Sequence, residues 1–396
     1  MIILDLFGSS GGVGRCTNEI LRQLIAMKVS TVLCGESHVV DSFKSHQPET
    51  PYLRLANLEQ PRFSLKSLKL KFARSCRSNS PRMANVLLEA AMTTAPSGEE
   101  IAPLPILVNY PQVIAPPSHG RTFCLFLHDL NWRLYPGNFR QPDLTDRHCR
   151  GWVERAAKVI TNSECTRREV IEQYQYPPEK VVAAPLASFT GSISKAFDTS
   201  KYLTSLGLAP EGYFLFPGVW AIHKGHQTLT EAIEAADGTA PVVVTCGMPL
   251  AGLMAATEAV AAMRRSLASR WDKLIAEKKL IVVGGVSELE MQALRVSCRA
   301  YVLPSQYEGF GFPLVEAIYH HRPAIVSDIK AHQEILQRYP QYNLATLFPP
   351  NSSAALAHAL NRAVEPASTP TEWQKNIEST WSWNSTTQKL LAALNS

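Results

Sequence analysis

A chain of 396 residues, 45% hydrophobic and 18% charged, carries enough apolar mass for two domains with their own cores and is not composed like a disordered polymer. Its apolar runs, 2–6 and 213–216 among them, fall far short of the ~20 residues of a membrane span, and no basic stretch precedes the first of them as in a signal peptide. The eight cysteines are scattered, with no C-x-x-C and no His/Cys cluster at zinc spacing. That excludes a disulfide scaffold and a zinc finger, and it reads as free thiols in the reducing cytoplasm.

Strand-like runs alternate with helix-length amphipathic segments, the pattern of parallel sheets wound with helices. In the first half strands are expected over 2–6, 31–34, 106–109, 123–127, 158–161 and 180–184, with helices over 17–27, 147–157 and 164–174. The stretch 41–104 is irregular, basic and rich in Ser and Pro, and its pattern assigns no order. In the second half the pattern predicts strand 213–216, helix 225–236, strand 242–245, a long helix through the 250s to 270s, and strand 280–283. Helix 289–298, strand 300–303, helix 313–320 and strand 324–326 follow. Two Rossmann-like halves result, joined between about 187 and 210, and a ligand is expected in the cleft at the carboxyl ends of their strands.

The formal net charge of +5 is uneven: residues 1–200 hold 23 Lys and Arg against 18 Asp and Glu, and residues 201–396 hold 16 of each. Arg62, Lys66, Lys69, Lys71, Arg74, Arg77 and Arg82 sit together with no acid among them. The block reads either as a solvated helix face or as a surface for an anionic partner. Leu65, Leu68 and Phe72 lie at helical spacing beside these cations, as in an interfacial helix on an anionic membrane. Nothing in the chain carries a nucleic-acid-binding signature.

Three segments carry candidate chemistry. Gly8-Ser9-Ser10-Gly11-Gly12-Val13-Gly14-Arg15 follows the first strand and opens a helix; it fits neither G-x-G-x-x-G nor a P-loop. It reads as a glycine turn whose helix-end N–H groups suit a phosphate or sugar oxygen, or as a plain tight turn. In 304–317, a strand end runs through Glu308-Gly309-Phe310-Gly311-Phe312-Pro313-Leu314 to Glu316. Pro313 has no N–H and suits an early helical position, so the N–H groups of Gly311, Phe312 and Leu314 are expected to converge on a diphosphate. Glu308 and Glu316, on the same side, would meet hydroxyls. Finally, Gly218 to His226 leads from another strand into a helix, with His223 and Lys224 at its start. A lysine there opposes the helix dipole, which suits a shared anion, or it snorkels to solvent.

Together these residues resemble the retaining GT-B glycosyltransferases of family 4, glycosyltransferase group 1. The Glu308-x7-Glu316 loop and the Gly218 to Lys224 loop match that family's donor-site motifs, and 11–15 matches its N-terminal glycine loop. The segments 126–130, with His128, and 159–164 look like two further family segments, and 381–387 looks like its closing helix.

The resemblance implies an α/β GT-B fold: a Rossmann-like acceptor domain over 1–195, a Rossmann-like nucleotide-sugar domain over 196–372, and a final helix over 373–396 crossing back to the first. Carried over by position, it implies Lys224, Glu308 and His128 as catalytic residues. It implies a donor site of Gly12, Gly14, Arg15, His223, Val286, Gly309, Phe310, Gly311, Phe312, Leu314 and Glu316. Lys224 would neutralise the leaving diphosphate, Glu316 would hold the ribose, Glu308 and His128 would face the sugar, and 284–287 would line the base.

Many members place arginine where this chain has His223, and a neutral imidazole is a weaker clamp than a guanidinium. Either Lys224 and loop N–H groups suffice, or Arg15 or a protonated His223 supplies the second charge. The sequence has no D-x-D, so transfer is expected to need no metal and no cofactor beyond the nucleotide diphosphate sugar. The expected product is a hexosyl glycan, mannose being favoured, built on a glycan or lipid-linked acceptor of an envelope or capsule at the inner membrane face. A non-catalytic nucleotide-sugar scaffold and a GT-B epimerase remain as rivals. His320, His321 and His332 are expected as surface histidines at helix ends.

Overall fold

A computed structural model describes residues 1–5, 11–35, 40–41, 43, 50–57, 105–110, 116, 122–189, 197–236, 241–244, 257–362 and 370–396. The cation block 62–82 and its apolar companions lie outside the described residues. The chain folds as two compact units: residues 1–130, 141–186 and 382–396 form the first, and residues 131–140 and 187–381 the second.

The first unit comprises β1 (Ile2–Asp5), α1 (Gly11–Ala26), β2 (Thr31–Gly35), β3 (Leu53–Asn57), β4 (Ile106–Asn109), β5 (Cys124–Leu127), α2 (Pro142–Arg155), β6 (Lys158–Thr161), α3 (Glu164–Tyr174) and β7 (Val181–Ala183). Its parallel sheet has the order β3-β2-β1-β4-β5-β6-β7. Every residue of β4 and β5 is buried, as strands covered on both faces require. Ser163 starts α3 by accepting from the Thr166 N–H at 2.9 Å. The C-terminal helix Trp383–Leu394 packs on α1 and β6, and its Thr386 hydroxyl donates to Pro185 O at 2.6 Å.

The second unit comprises α4 (Thr199–Ser205), β8 (Phe214–Phe216), α5 (His226–Ala235), β9 (Val242–Val244), α6 (Glu258–Ala276), β10 (Leu280–Val282), α7 (Glu288–Ser297) and β11 (Ala300–Leu303). It continues with α8 (Phe312–Tyr319), β12 (Ala324–Ser327), α9 (Lys330–Arg338), β13 (Ala345–Phe348), α10 (Ser353–Asn361) and α11 (Trp373–Thr380). The strands are all parallel, in the order β10-β9-β8-β11-β12-β13. One apolar core joins Phe214, Phe216, Leu229, Ile233, Val302 and Ile325 with Trp271 and Leu274 of α6.

Most expected elements appear within a few residues of their predicted ends. Strand β13 has no periodic signal, because Thr346 and Leu347 are exposed. The boundaries expected at 195/196 and 372/373 both fall inside the second unit. Helix α11 stays there because Trp373 Nε1 donates to Ile318 O at 2.7 Å and the Tyr319 hydroxyl to Glu378 Oε1 at 3.0 Å. Helix α1 starts at Gly11 instead of 17, so Gly12 and Gly14 are helical residues, not turn residues. Glycine's poor helix propensity hides this start in the sequence, and tertiary packing overrides it.

Leu390 is fully buried in the C-terminal helix. Leu390→Ala should cost about 2–5 kcal/mol of stability in urea unfolding followed by tryptophan fluorescence.

Candidate functional site

In open parallel sheets, loops diverge where the strand order reverses, and ligands bind there at the carboxyl ends. In the second unit the reversal lies between β8 and β11, because the chain runs outward through β9 and β10 before returning to β11 beside β8. The two loops singled out in the sequence, 217–225 and 304–311, are the ones leaving these two strands.

These loops are tied to each other. Lys224 Nζ donates to Glu308 Oε1 at 2.7 Å and Oε2 at 2.9 Å. The Ser305 hydroxyl also donates to Glu308 Oε1, at 2.7 Å, and Gln306 N–H donates to His223 O at 2.7 Å. Burial by itself would raise the Glu308 carboxyl, but the adjoining Lys224 ammonium outweighs it and holds the group down at about 2. Lys224 therefore does not snorkel to solvent; its charge is held by Glu308. Gly225 lets the loops approach: at φ +73° it caps α5, and a Cβ there would sit 2.1 Å from Pro304 O.

Helix α8 starts from Gly311 at φ +102°. Leu314 does not join the expected set of first-turn donors, because its N–H donates to Gly311 O at 3.1 Å. The left-handed glycine tightens this turn. Phe310 is buried edge-on against Trp381, and the Phe312 ring lies 4.4 Å from that of Phe189, so both side chains hold the loop. Glu316, buried on α8, has Oε2 3.0 Å from Arg295 Nε, and Arg295 NH1 reaches Glu288 Oε1 at 2.6 Å. A carboxylate backed by a buried guanidinium is held in one orientation, and its oxygens can accept hydrogen bonds from hydroxyl groups. Sequence reading missed Arg295; its helix position gives no sign that the side chain points inward. Val286 is half-buried in the loop after edge strand β10, where Gly285 has φ +66° and Ser287 caps α7. Gly309 occupies the turn between Glu308 and Phe310.

His223 is 7% exposed. Burial lowers its imidazole to about 3, with Lys224 adding to the effect, so a protonated His223 cannot supply the missing second charge near pH 7. His320, His321 and His332 are buried, contrary to expectation. The apolar helix α8 ends inside the unit, where His320 meets Gln292 and His321 meets the Trp373 ring. His332 Nδ1 lies 2.8 Å from Ser327 O, and its ring faces Gly311.

The strand order of the first unit reverses between β1 and β4. There Asp5 and Asn109, paired in register, begin a buried chain. Thr17 Oγ1 and Asn109 Nδ2 donate to Asp5 Oδ2 at 2.8 and 2.7 Å, leaving Asn109 Oδ1 to face His128 Nε2 at 2.9 Å. The proton of His128 therefore sits on Nε2, and Nδ1 keeps its lone pair. Desolvation lowers this imidazole to about 3. His128 is a neutral hydrogen-bond acceptor at the end of β5. Arg15 is half-buried on α1, whose first turn contains Gly12 and Gly14.

Residues 204–380 match the family of glycosyl transferases group 1. Over 189 residues the chain is 25% identical to O-antigen chain mannosyltransferase B of Escherichia coli, covering 46% of each protein. Over 216 residues it is 24% identical to O-antigen chain mannosyltransferase RfbU of Salmonella typhimurium, covering 54% of this chain and 55% of that one. The chain thus spans about half the length of these curated relatives. Anabaena HepE, solved in complex with UDP and glucose, matches 100% of this chain and 99% of its own with a TM-score of 0.69 at 17% identity. Sucrose-phosphate synthase from Thermosynechococcus elongatus matches 99% of this chain and 97% of its own with a TM-score of 0.67 at 15% identity. The fold is GT-B, and the residues that match the group 1 glycosyl transferases lie in the second unit.

Two pH effects follow. The Glu308 carboxyl lies below its ordinary 4.5 in the fold, so its contribution is complete above about pH 4.5 and lost as pH falls through 2. His128, His223, His226 and His320 fall from 6.5 to about 3, so the unfolded chain takes up their protons first and stability rises with pH between 3 and 6.5. Urea unfolding from pH 4 to 7 should show this rise, at most about 1.4 kcal/mol per pH unit for each histidine. A flat profile would contradict neutral burial. Arg295→Ala, which strands Glu316, should cost about 3–5 kcal/mol in the same assay at pH 7.

Proposed function

We propose that the protein is a metal-independent, retaining glycosyltransferase that moves a hexose from a nucleotide diphosphate sugar to a glycan or lipid-linked acceptor. The Lys224–Glu308 pair beside the start of α8 is the observation that carries this reading. Breaking the bond between sugar C1 and the diphosphate builds negative charge on the leaving group and positive charge on the sugar. The Lys224 ammonium and the N–H groups of the 309–312 segment meet the first, and the Glu308 carboxylate meets the second. Glu316, held in place by Arg295, accepts hydrogen bonds from the ribose hydroxyls. His128, a neutral acceptor in the first unit, can accept a hydrogen bond from a hydroxyl group. With retention no enzyme nucleophile is required, because the departing diphosphate oxygen can take the acceptor proton.

Two observations favour mannose and O-antigen-type glycans: both curated relatives named above are O-antigen mannosyltransferases, and their match extends over about half of the chain. No helix among the described residues is long and apolar enough to cross a membrane. Peripheral docking from the cytoplasm on anionic lipid rests on the cations of 62–82.

A thermal-shift panel of GDP-, UDP-, dTDP- and ADP-sugars, with EDTA present, tests the site. The matching donor at 100 times its Kd should stabilise the protein by about 2.7 kcal/mol. Glu316→Ala should reduce this shift, and Glu308→Gln should lower transfer at least about 100-fold in a product assay resolving the anomer. A donor-induced shift without transfer would point to the scaffold reading, and no shift from any donor would remove the site.

A further inference from the structure

Residues 131–140 precede the rest of the second unit by more than 40 residues in sequence, yet they belong to it. The segment makes a helical turn, Asn131–Leu134, and a 3-10 turn, Pro136–Asn138, that docks on the β8 loop. Gly137 packs closely there: a Cβ would lie 2.6 Å from the Ile222 Cδ1 methyl, and Gly137 O accepts from the Thr257 hydroxyl that also caps α6.

The polar contacts of Asn138 have one consistent orientation. Its Oδ1 accepts from Ile222 N–H at 2.8 Å, a group that can only donate. Nδ2 must therefore be the atom 2.9 Å from His223 Nδ1 and 3.1 Å from Asn131 Oδ1. Asn131 Nδ2 lies 3.4 Å from the same His223 Nδ1. An atom that accepts from one or two amides has no proton, so the His223 proton sits on Nε2. The ring is almost wholly buried, and its Nε2 has no hydrogen-bond partner among the described residues.

We propose that Asn138, supported by Asn131, is a positioning residue that holds His223 as the neutral Nε2–H tautomer, so that the ring offers a donor, rather than a charge, to an anionic oxygen at the β8–β11 reversal. The identification of that oxygen as the sugar nucleotide's diphosphate rests on the function proposed above; the tautomer rests on geometry alone. The arrangement suits a loop whose one ammonium is already matched by Glu308: an N–H adds stabilisation of an anion without placing a second cation beside Lys224. The groups facing His223 are Lys224 and His226, which oppose its protonation, Glu308, which favours it, and the rings of Tyr135 and Tyr307 at 5.7 and 6.3 Å.

Long-range proton–nitrogen NMR of the imidazoles in the full chain reads the tautomer without any ligand. In the wild type, His223 is expected to keep a bare Nδ1 and a protonated Nε2 from pH 5.5 to 8. A proton on Nδ1, or titration near the ordinary histidine value, would overturn the assignment. Asn138→Asp, nearly isosteric and still able to accept from Ile222 N–H, should draw the proton to Nδ1 and make the ring titrate in that range. Its KM for the donor sugar nucleotide should then rise at least tenfold from the acid to the basic side of that titration, as Nε2 changes from donor to acceptor, with kcat changing less. A KM in this variant that does not vary with pH would overturn the ligand half of the proposal, even where the tautomer is as assigned. If no nucleotide binds the wild type at all, the glycosyltransferase reading fails, and the NMR result still decides the tautomer. Asn138→Leu, which cannot donate to Nδ1, should release the tautomer in the same spectrum; an unchanged spectrum would show that Asn138 does not set it.

Discussion

The second unit's site depends on one ion pair between two loops. Lys224 and Glu308 leave neighbouring strands whose connections run in opposite directions, so backbone pairing does not continue beyond the strand ends. The bidentate contact closes that divergence, with the Gln306 N–H to His223 O bond and the close passage of Gly225 beneath Pro304. Taking a lysine and a glutamate out of water is costly unless they are matched in geometry. Here each carboxylate oxygen accepts from the ammonium, and Ser305 adds a further donor. The pair thus fastens the loops and, in the reaction proposed above, also provides the charge pattern that a sugar with a departing diphosphate requires.

Around this pair the unit relies on neutral donors and acceptors. Several of its histidines are buried and held below the pH range in which histidine ordinarily titrates. His226 shows the structural use of such a ring: it stacks on Trp220 at 4.4 Å, and Trp220 in turn carries Arg264 on its face. His223 and His128 show another use. Each is fixed in one tautomer by an asparagine amide, but with opposite outcomes. Asn138 presents its NH2 to His223 and makes a donor of Nε2, whereas Asn109 presents its oxygen to His128 and makes an acceptor of Nδ1. A polar amide whose other end is already committed is an economical way to fix a proton in a dry environment.

The segment 131–140 extends the same logic to chain order. It interrupts the first unit's sequence to complete the second, supplying Asn131, Tyr135 and Asn138 around His223. The His223-for-arginine difference is thereby matched by a local environment suited to imidazole and not to a cation. Arg295 plays a comparable part for Glu316, which it partners within an apolar helix.

Much of the fold was legible in the sequence, because fully buried parallel strands and the helices between them leave strong local patterns. The runs at 106–109, 158–161 and 300–303 and the helix at 164–174 coincide with the observed elements. The glycine, proline and acidic residues of 304–316 marked a strand end turning into a helix, since backbone conformations of this kind restrict residue type. What a local pattern cannot contain is pairing across distance. The union of Lys224 with Glu308, the backing of Glu316 by Arg295, the burial of His320 and His321, and the capture of 131–140 by the second unit all join residues far apart in sequence. Residue type and local spacing determined which groups this protein could use; their protonation and hydrogen-bonding directions were decided only by tertiary structure, because desolvation and an amide's orientation are properties of the folded neighbourhood.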